Sequence, residues 1–334
     1  MLNTGKPSRS TSLWSPFDAN EFILLTGASN VPLAKSIAKI LKKNLNEPIT
    51  TFADGEIRVK ISQNMRRRHV YIIQPTSSPV NDNLMQLILM VDAARRASAS
   101  EIIAVIPYFG YSRQDRKETS RVPISSSVVA RMLQTAGVNR IFTVDIHAEQ
   151  EEGFVDCPWD NVYASYTLLP EIKTRNLQNL VVASPDKNGM ARATGYAKLL
   201  GAFGVAVVYK ERDIDINNAS EVLDMIGNVK GKNVLLVDDM LDTGGTIVNA
   251  ANFIKEKGAA SIRVAVTHGL FSGPAISLVN DSAIDEVIIT DTIAQKEEVK
   301  KNKKITIVSV APLVAAAIER IQTGGSIGKD LILQ

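Results

Sequence analysis

Residues 233–247 combine an apolar run with three carboxylates and a glycine-rich turn that carries threonines. A buried strand here would deliver Asp238 and Asp239 to the carboxyl edge of a sheet, where open α/β folds bind ligands. Gly244 and Gly245 would let backbone N–H groups turn toward an anion at the start of a following helix. Two acids that can bind hydroxyl groups, next to a turn that can bind a phosphate, predict a pentose phosphate ligand. The alternative is an acidic turn without a ligand, which repulsion between close carboxylates disfavours.

Two further polar segments follow apolar runs that we predict to be strands. Arg113, Gln114 and Asp115 come after residues 102–106, in a stretch with aromatic side chains. Such groups can stack on a purine base, hydrogen-bond to it or pair with phosphate, and the alternative is a solvated basic loop. His147 follows another such run beside carboxylates. This position suits a metal ligand or a hydrogen-bond switch, and the alternative is a structural histidine.

Two strand-end positions suggest metal and polyphosphate binding. Asp186 follows residues 180–183 and precedes a helical stretch. It could bind Mg²⁺ at the strand edge or cap the helix, and capping is the commoner role. Lys210 and Arg212 lie just past the predicted strand 205–208. Cations at positions i and i+2 share one side of an extended segment, as a polyphosphate clamp requires, and a solvated charged loop is the alternative.

Two motifs near the start of the chain carry weaker signals. Phe52-Ala-Asp54-Gly-Glu56 could be an ordinary turn between strands. The triple arginine at residues 66–68 could be a solvated hairpin tip or a regulatory anion site.

Regular secondary structure must position these side chains. Strand-like runs alternate with helical stretches along almost the whole chain. Such alternation predicts parallel sheets covered by helices. The predicted strands are 22–25, 70–73, 102–106, 141–144, 180–183, 205–208, 234–237, 262–266, 287–289 and 305–308. The predicted helices are 32–45, 82–97, 125–136, 190–200 and 245–257.

The chain also repeats one order of elements. Residues 70–106 and 234–266 each contain a strand, a polar loop, a helix, an Ala-Ser turn and a strand. We therefore predict two similar α/β domains that arose by duplication, although two ordinary βα units could agree by coincidence. The second copy keeps the acidic loop and the first does not, so the substrate site should lie mainly on the second domain. The boundary is predicted in or near residues 159–170.

Length and composition restrict the class of protein. A chain of 334 residues suggests two domains, and its charge of +3 does not indicate a nucleic-acid binder. Cys157 is the only cysteine, which excludes an intrachain disulfide and fits a reducing cytosol. Residues 1–20 read as a loose extension without the apolar core of a signal peptide, and no apolar run reaches membrane-spanning length.

Taken together, these segments resemble class I ribose-phosphate diphosphokinase, also called phosphoribosyl-pyrophosphate synthetase. The likeness covers about residues 22–331. Its ordered motifs are more specific than the acidic loop, which any phosphoribosyltransferase could carry. The motifs are Phe52-x-Asp-Gly-Glu, Asn81-Asp-Asn-Leu-Met85, Ile106-Pro-Tyr-Phe-Gly-Tyr-Ser-Arg-Gln-Asp115, Val144-Asp-Ile-His-Ala-Glu-Gln150, Ser184-Pro-Asp186, Lys210-Glu-Arg212, Val237-Asp-Asp-Met-Leu-Asp-Thr-Gly-Gly-Thr246 and Phe271-Ser-Gly-Pro274.

The resemblance implies two similar phosphoribosyltransferase-like domains, each a mostly parallel sheet flanked by helices. Residues 21–165 would form the first, with ATP and oligomer contacts, and residues 166–317 the second, with the ribose 5-phosphate loop. The tail, residues 318–334, would pack on the first domain. A homo-oligomer, usually a hexamer in this family, would be needed for function, and phosphate or ADP could regulate it. Neither a nucleic acid nor a membrane is an expected partner.

The implied reaction transfers the diphosphoryl group of ATP to the 1-hydroxyl of ribose 5-phosphate with Mg²⁺, giving 5-phosphoribosyl 1-diphosphate and AMP for nucleotide biosynthesis in the cytoplasm. Lys210 and Arg212 would be catalytic and close over the phosphates from a mobile loop. His147 and Asp186 would bind the Mg²⁺ that accompanies ATP. The expected ATP contacts are Arg113, Gln114 and Asp115, with Phe52, Asp54 and Glu56 from a neighbouring subunit; the expected ribose 5-phosphate contacts are Asp238, Asp239, Asp242, Thr243, Gly244, Gly245 and Thr246.

Two other functions share parts of this pattern. A phosphoribosyltransferase would need the pentose-phosphate loop but neither residues 113–115 nor the Lys210/Arg212 pair. A catalytically inactive regulatory subunit would have altered metal and loop positions, which this chain keeps. The chain departs from the family pattern at Glu151, Glu152, Lys187, Asn188, Asp213 and Asp215, and its tail lacks the usual terminal aromatic residue.

Overall fold

The computed structural model describes residues 21–212 and 221–328. Strands and helices alternate along these ranges, as the sequence predicts. In the first half, the strands are β1 (Phe22–Thr26), β2 (Leu45–Asn46), β3 (Ile49–Thr51), β4 (Ile57–Val59), β5 (His69–Ile73), β6 (Glu101–Ile106), β7 (Arg140–Val144) and β8 (Trp159–Val162). In the second half, they are β9 (Leu180–Ser184), β10 (Gly204–Arg212), β11 (Glu221–Ile226), β12 (Asn233–Leu241), β13 (Ser261–Gly269), β14 (Glu286–Thr290) and β15 (Ile305–Val308).

Two large sheets organise these strands. The first has the order β2-β1-β5-β6-β7-β8, and its paired strands are all parallel. The second has the order β11-β10-β9-β12-β13-β14-β15 and is parallel except for the β10–β11 pair. Strands β3 and β4 form a separate antiparallel hairpin. This architecture confirms the predicted fold class.

Helices cover both sheets. They are α1 (Val31–Leu41), α2 (Val80–Arg96), α3 (Ser125–Ala136), α4 (Ser165–Lys173), α5 (Met190–Leu200), α6 (Gly245–Glu256), α7 (Ala275–Asn280), α8 (Glu297–Lys300) and α9 (Ala311–Thr323), with a 3-10 helix at Glu149–Phe154. The start of α1 shows why such segments are helical: the Asn30 side chain accepts a hydrogen bond from the Leu33 N–H, and Pro32 follows the cap. Within the described ranges, we find no helix with the length and apolarity needed to cross a bilayer.

Several of the predicted boundaries were wrong, including those of strands 234–237 and 262–266, which extend over Asn233–Leu241 and Ser261–Gly269. The first predicted helix, 32–45, is too long, because α1 ends at Leu41, where Lys42 adopts a left-handed φ of 53°. The predicted strand 205–208 is too short, because pairing with β11 carries β10 through Arg212. Lys210 and Arg212 therefore belong to a strand rather than to a loop after it. Hydrophobic runs did not reveal this, since the backbone pairing extends past the apolar residues.

The two halves of the chain share one hydrophobic core. Helices α1 and α9 pack against each other, and Ile37 and Ile318 are fully buried between them and the sheets. Strands of both sheets contribute to the same cluster, through residues such as Val105 and Val182. Each sheet also has a core of its own on its other face. The shared core, represented by Leu33, Ile37, Val105, Val182, Leu235, Leu313 and Ile318, restricts how the halves can move relative to each other.

The predicted domain limits, 21–165 and 166–317, remain predictions. Strand β8 pairs within the first sheet, whereas α4 contacts β14 and β15 of the second. Of the predicted tail, residues 318–323 lie in α9, while residues 329–334 are outside the described ranges, as are residues 1–20.

Candidate active site

The carboxyl ends of strands from both sheets border a cleft of about 900 Å³. This is the position at which open α/β sheets bind ligands, because side chains of successive parallel strands converge there. Most of the predicted site residues meet in this cleft, although they come from distant parts of the sequence. Its lining includes Arg113, Asp115, His147, Asp186, Asp238, Asp239, Asp242, Thr243, Gly244, Gly245 and Thr246.

Asp238 and Asp239 are adjacent residues of β12 with different charged partners. The His147 ring donates a hydrogen bond from Nδ1 to Asp239 Oδ2, at 2.6 Å. The Arg192 guanidinium lies 3.5 Å from Asp238 and 3.6 Å from Asp239. Only 4% of Asp239 is exposed, so these contacts act with little screening by water.

These contacts separate the pKa values of the two acids. Although burial alone would raise the pKa of Asp239, the hydrogen bond from His147 and the charge of Arg192 hold it below its usual range. Burial raises the pKa of Asp238 well above its usual range, and the neighbouring charge of Asp239 raises it further. The hydrogen bond to Asp239 also raises the pKa of His147. The His147–Asp239 contact therefore favours the charged forms of both groups, whereas burial and the neighbouring charge favour the protonated form of Asp238.

The turn after β12 has the geometry of an anion cradle. Gly244 adopts a left-handed φ of 85°, and α6 begins at the next residue, Gly245. The first N–H groups of a helix have no partners inside the helix, and the helix dipole places positive charge there. The side chains of Thr243 and Thr246 are exposed beside this turn. A phosphate group fits the arrangement.

The loop after β6 forms the wall of the cleft that faces this turn, and it carries the segment predicted to bind a nucleotide. Arg113 Nη1 donates to Asp242 Oδ2 at 2.6 Å, joining the loop after β6 to the anion loop. Gln150 donates to the Asp115 carboxyl group at 2.6 Å. Gln114 is outside the cleft lining, and its side-chain oxygen accepts a hydrogen bond from the Ser125 hydroxyl instead.

Asp186 has a structural contact of its own. Its Oδ1 accepts hydrogen bonds from the N–H groups of Asn188 (2.8 Å) and Gly189 (3.1 Å), which shapes the turn before α5. Among the described residues, no group of three acidic, histidine or cysteine side chains is arranged to hold a metal ion. Mg²⁺ prefers oxygen ligands and is often held by one or two carboxylates together with substrate phosphates. The donor set therefore fits an ion that arrives with a polyphosphate.

The remaining predicted residues lie elsewhere. The backbones of Lys210 and Arg212 belong to β10, while their side chains and the predicted mobile loop, including Asp213 and Asp215, are outside the part of the chain that the structure describes. Tyr209, the residue before Lys210, contacts another predicted departure from the family: the Lys187 ammonium lies 4.9 Å from the centre of the Tyr209 ring. Phe52, Asp54 and Glu56 occupy the β3–β4 hairpin, exposed and outside the cleft lining.

Sequence reasoning missed two side chains of this site. Arg192 occupies the first turn of α5, where nothing in the local pattern separates an inward arginine from a solvated one. Glu151 was noted only as a departure from the family, but it is fully buried behind the cleft wall. The Ser126 hydroxyl donates to its Oε2, and its Oε1 has no hydrogen-bond partner among the described residues. Burial raises the pKa of Glu151 to about 7.

Comparison with known proteins gives a consistent result. Residues 22–137 match the family model described as the N-terminal domain of ribose phosphate pyrophosphokinase, and residues 214–331 match the phosphoribosyl synthetase-associated domain. The chain is 47% identical to ribose-phosphate pyrophosphokinase of Ralstonia nicotianae, over 91% of this chain and 96% of that protein. Identity to the enzyme of Vibrio parahaemolyticus is 46%, over 91% and 97%. The crystal structure of phosphoribosylpyrophosphate synthetase from Mycobacterium smegmatis superposes with a TM-score of 0.85 at 36% identity, covering 91% of this chain and 99% of that chain.

Proposed function

Because the chain belongs to the ribose-phosphate pyrophosphokinase family, we propose that its intersheet cleft is the site where ATP and ribose 5-phosphate react. The protein is an enzyme that transfers the diphosphoryl group of ATP to the 1-hydroxyl of the sugar, giving 5-phosphoribosyl 1-diphosphate and AMP. One observation carries the assignment of the site. The cleft has an anion cradle with two acids on one wall and the Arg113 segment on the other, so each substrate has a wall suited to it.

The wall formed by β12 and the start of α6 would bind ribose 5-phosphate. Asp238 and Asp239 would accept hydrogen bonds from ribose hydroxyl groups, and residues Asp242 to Thr246 would surround the 5-phosphate. The left-handed Gly244 and the free helix start support this assignment, because both direct N–H groups outward. The sugar would then lie with its phosphate at the helix and its 1-hydroxyl toward the facing wall.

The facing wall would bind ATP through Arg113 and Asp115, with Gln114 behind them. Lys210 and Arg212 would supply positive charge to the transferring phosphates. Attack by the 1-hydroxyl oxygen on the β-phosphorus forms the new P–O bond, breaks the bond from the β-phosphorus to the oxygen of the α-phosphate and releases the hydroxyl proton, so AMP leaves. Fixed positive charge stabilises such a transition state better than water does, because the enzyme groups need not reorganise.

We assign the metal in this reaction to Mg²⁺, with His147 and Asp186 as the residues that would hold it. When bound with ATP, Mg²⁺ would neutralise part of the phosphate charge. In the free enzyme His147 is held by Asp239, so the same contact orients its ring toward the cleft.

The assembly and its regulation are also proposals. The exposed hairpin that carries Phe52, Asp54 and Glu56 would complete the adenine pocket of a neighbouring subunit, and this would require a homo-oligomer, expected to be a hexamer. Phosphate and ADP are the expected regulators. The single cysteine suits a reducing compartment and supports a location in the cytoplasm.

A product assay tests the function directly. The enzyme is incubated with ATP, Mg²⁺ and ribose 5-phosphate, AMP is quantified by chromatography, and the diphosphate at C1 is identified by phosphorus NMR. We expect equal amounts of AMP and 5-phosphoribosyl 1-diphosphate, and no AMP without the sugar. Absence of AMP over a full phosphate titration would refute the activity.

A paired variant tests the catalytic assignment. Lys210→Ala should lower kcat by about 10²–10³ while leaving the affinity for ribose 5-phosphate nearly unchanged, as expected for a group that acts on the transition state. The control is Lys198→Ala, an exposed lysine of α5 that is not part of the cleft lining. Equal losses of turnover and sugar affinity in Lys210→Ala would contradict a transition-state role.

A further inference from the structure

A buried polar cluster joins the two sheets at the edge of the cleft, where its member Asp145 is part of the cleft lining. We call it the intersheet clamp and define it by four residues, each no more than 4% exposed: Asp145, Thr267, His268 and Thr292. Asp145 follows β7 of the first sheet, while Thr267 and His268 belong to β13 of the second. Buried polar groups are stable only when they are hydrogen-bonded, so these contacts define one arrangement of the strands.

Asp145 donates one hydrogen bond, from its N–H to the Val162 carbonyl at 2.8 Å, and accepts three others. Its Oδ2 accepts from the Thr267 hydroxyl of the second sheet and, at 3.0 Å, from the Ala164 N–H. Its backbone carbonyl accepts from His268 Nε2, at 3.2 Å. The bonds from Thr267 and His268 cross from one sheet to the other.

His268 is held in one orientation. Its Nδ1 lies 2.9 Å from the Thr292 hydroxyl, and its ring packs edge-on against Tyr108, with 5.0 Å between ring centres. Burial lowers the pKa of His268, so the ring is neutral. Nε2 must then carry the proton that is donated to Asp145, and Nδ1 accepts the hydroxyl proton of Thr292.

The backbone at Asp145 turns sharply at this point. Its φ is +44°, a left-handed conformation that aspartate adopts more readily than most side-chain-bearing residues. The turn leads, two residues later, to His147, whose ring reaches Asp239 of β12. Strand β12 pairs with β13, which carries Thr267 and His268. The clamp and the His147–Asp239 pair therefore both join the segment after β7 to the paired strands β12 and β13.

We propose that Thr267 and His268 are positioning residues of the diphosphoryl transfer, which hold the ATP wall and the ribose 5-phosphate wall at the separation the reaction requires. This inference rests on the proposed function. Neither residue is part of the cleft lining, so neither should contribute much to the binding of a substrate by itself. The attack of the sugar hydroxyl on phosphorus depends on the placement of both substrates, and a displacement of about 1 Å can cost roughly 100-fold in rate.

The first test compares two buried threonines. Thr267→Val removes the hydroxyl that crosses between the sheets. Thr26→Val is the matched control, because Thr26 is also buried, at 1% exposure, but donates to the Ile73 carbonyl within the first sheet. We expect Thr267→Val to lower kcat by about 10- to 100-fold, with KM for each substrate changed by less than about threefold, and Thr26→Val to keep the wild-type kcat. Similar kcat losses in both variants, or an unchanged kcat in Thr267→Val, would overturn the proposal.

The second test uses His268 and remains informative if a threonine variant fails to fold. His268→Gln keeps an N–H donor near the position of Nε2, whereas His268→Leu keeps none. We expect kcat to be about tenfold higher for His268→Gln than for His268→Leu, at similar KM, and equal kcat values would overturn the proposal. The wild-type enzyme separates the two hypotheses. If it forms no AMP the proposed function fails, whereas an active wild type with clamp variants that match the control refutes the clamp alone.

Discussion

At the scale of single residues, Asp238 and Asp239 show how position controls the chemistry of one side-chain type. Both are aspartates of β12, Asp239 buried and Asp238 half-buried, and the Asp239 N–H donates a hydrogen bond to Asp238 Oδ1. His147 contacts only Asp239, and that hydrogen bond lowers the pKa of Asp239, whereas burial and the charge of Asp239 raise the pKa of Asp238. The two neighbouring acids therefore differ in how readily each takes up a proton.

This asymmetry predicts different stabilities for two isosteric variants. Asp239→Asn removes a charged hydrogen bond to His147 and should lower the free energy of unfolding by about 1–3 kcal/mol. Asp238→Asn removes an acid whose pKa is raised by burial and by the charge of Asp239, and it should stay within about 1 kcal/mol of the wild type. Urea denaturation of both proteins near pH 7 measures the difference. A larger loss in Asp238→Asn than in Asp239→Asn would contradict this asymmetry.

Glu151 predicts a pH-dependent stability. Its folded pKa, about 7, lies above the ordinary value of 4.5, mainly because of burial. Between these two values the folded chain holds a proton that the unfolded chain releases. Stability should therefore decrease as the pH rises through this window, by on the order of 3 kcal/mol once the window is passed. Asp115 and His147 add smaller, opposing electrostatic effects.

The matched measurement uses Glu151→Gln, which cannot ionise. Its free energy of unfolding should exceed that of the wild type by a few kcal/mol at pH 8 and by much less at pH 5. Glu319→Gln, at an exposed position of α9, is the control and should track the wild type at both values. A difference that does not change with pH would mean that Glu151 is not the titrating group.

At the scale of elements, the turn between β12 and α6 depends on one glycine more than on its neighbour. Gly244 has a φ of 85°, which strains a side chain, and a Cβ added there would lie 3.5 Å from the Ala275 backbone. A Cβ added at Gly245 would have no described atom within 4 Å. Gly245 is the first helical residue. The left-handed residue therefore sets the angle at which the helix N-terminus points into the cleft.

Two alanine variants separate these roles in the substrate-free enzyme. Gly244→Ala should lower the free energy of unfolding by about 1–2 kcal/mol, because the left-handed conformation strains any side chain. Gly245→Ala should be neutral or slightly stabilising, since alanine favours the helix. Thermal and urea denaturation report both effects. Equal effects of the two substitutions would mean that the turn adapts to a side chain at either position.

At the scale of the whole molecule, the shared core couples the stability of one sheet to that of the other. Helix α1 follows the first strand of the first sheet, yet it packs against α9, which follows the last strand of the second. Buried residues of both sheets belong to the same cluster. Loss of packing at this place should therefore loosen both halves.

Two isoleucines of α1 test this coupling. Ile37 is fully buried in the shared core, and Ile40 is 48% exposed on the same helix. Ile37→Ala should cost about 2–5 kcal/mol of stability, and Ile40→Ala should stay within about 0.5 kcal/mol of the wild type. Hydrogen exchange should show that Ile37→Ala reduces amide protection in both β7 and β13. Reduced protection confined to the first sheet would show that the halves unfold independently.

The sequence by itself determined the fold class, most strand and helix positions and the reaction. These properties depend on local order: apolar periodicity marks the strands, and Asp238, Asp239 and the Gly244–Gly245 turn stand next to one another in the chain. The family motifs then specified the reaction, which the comparisons confirm. The end of β10 was predicted wrongly, because it is set by pairing with β11 and not by the apolar run of β10 itself.

Only the tertiary structure decided how these parts act on one another. Arg113 and Asp242 are 129 residues apart in the chain and 2.6 Å apart in the cleft. The burial of Glu151, the inward direction of Arg192 and the contact of His268 with Asp145 also have no local signal. Charge states and orientations depend on the dielectric surroundings and on partners that folding brings together, so they cannot be derived from residue order alone.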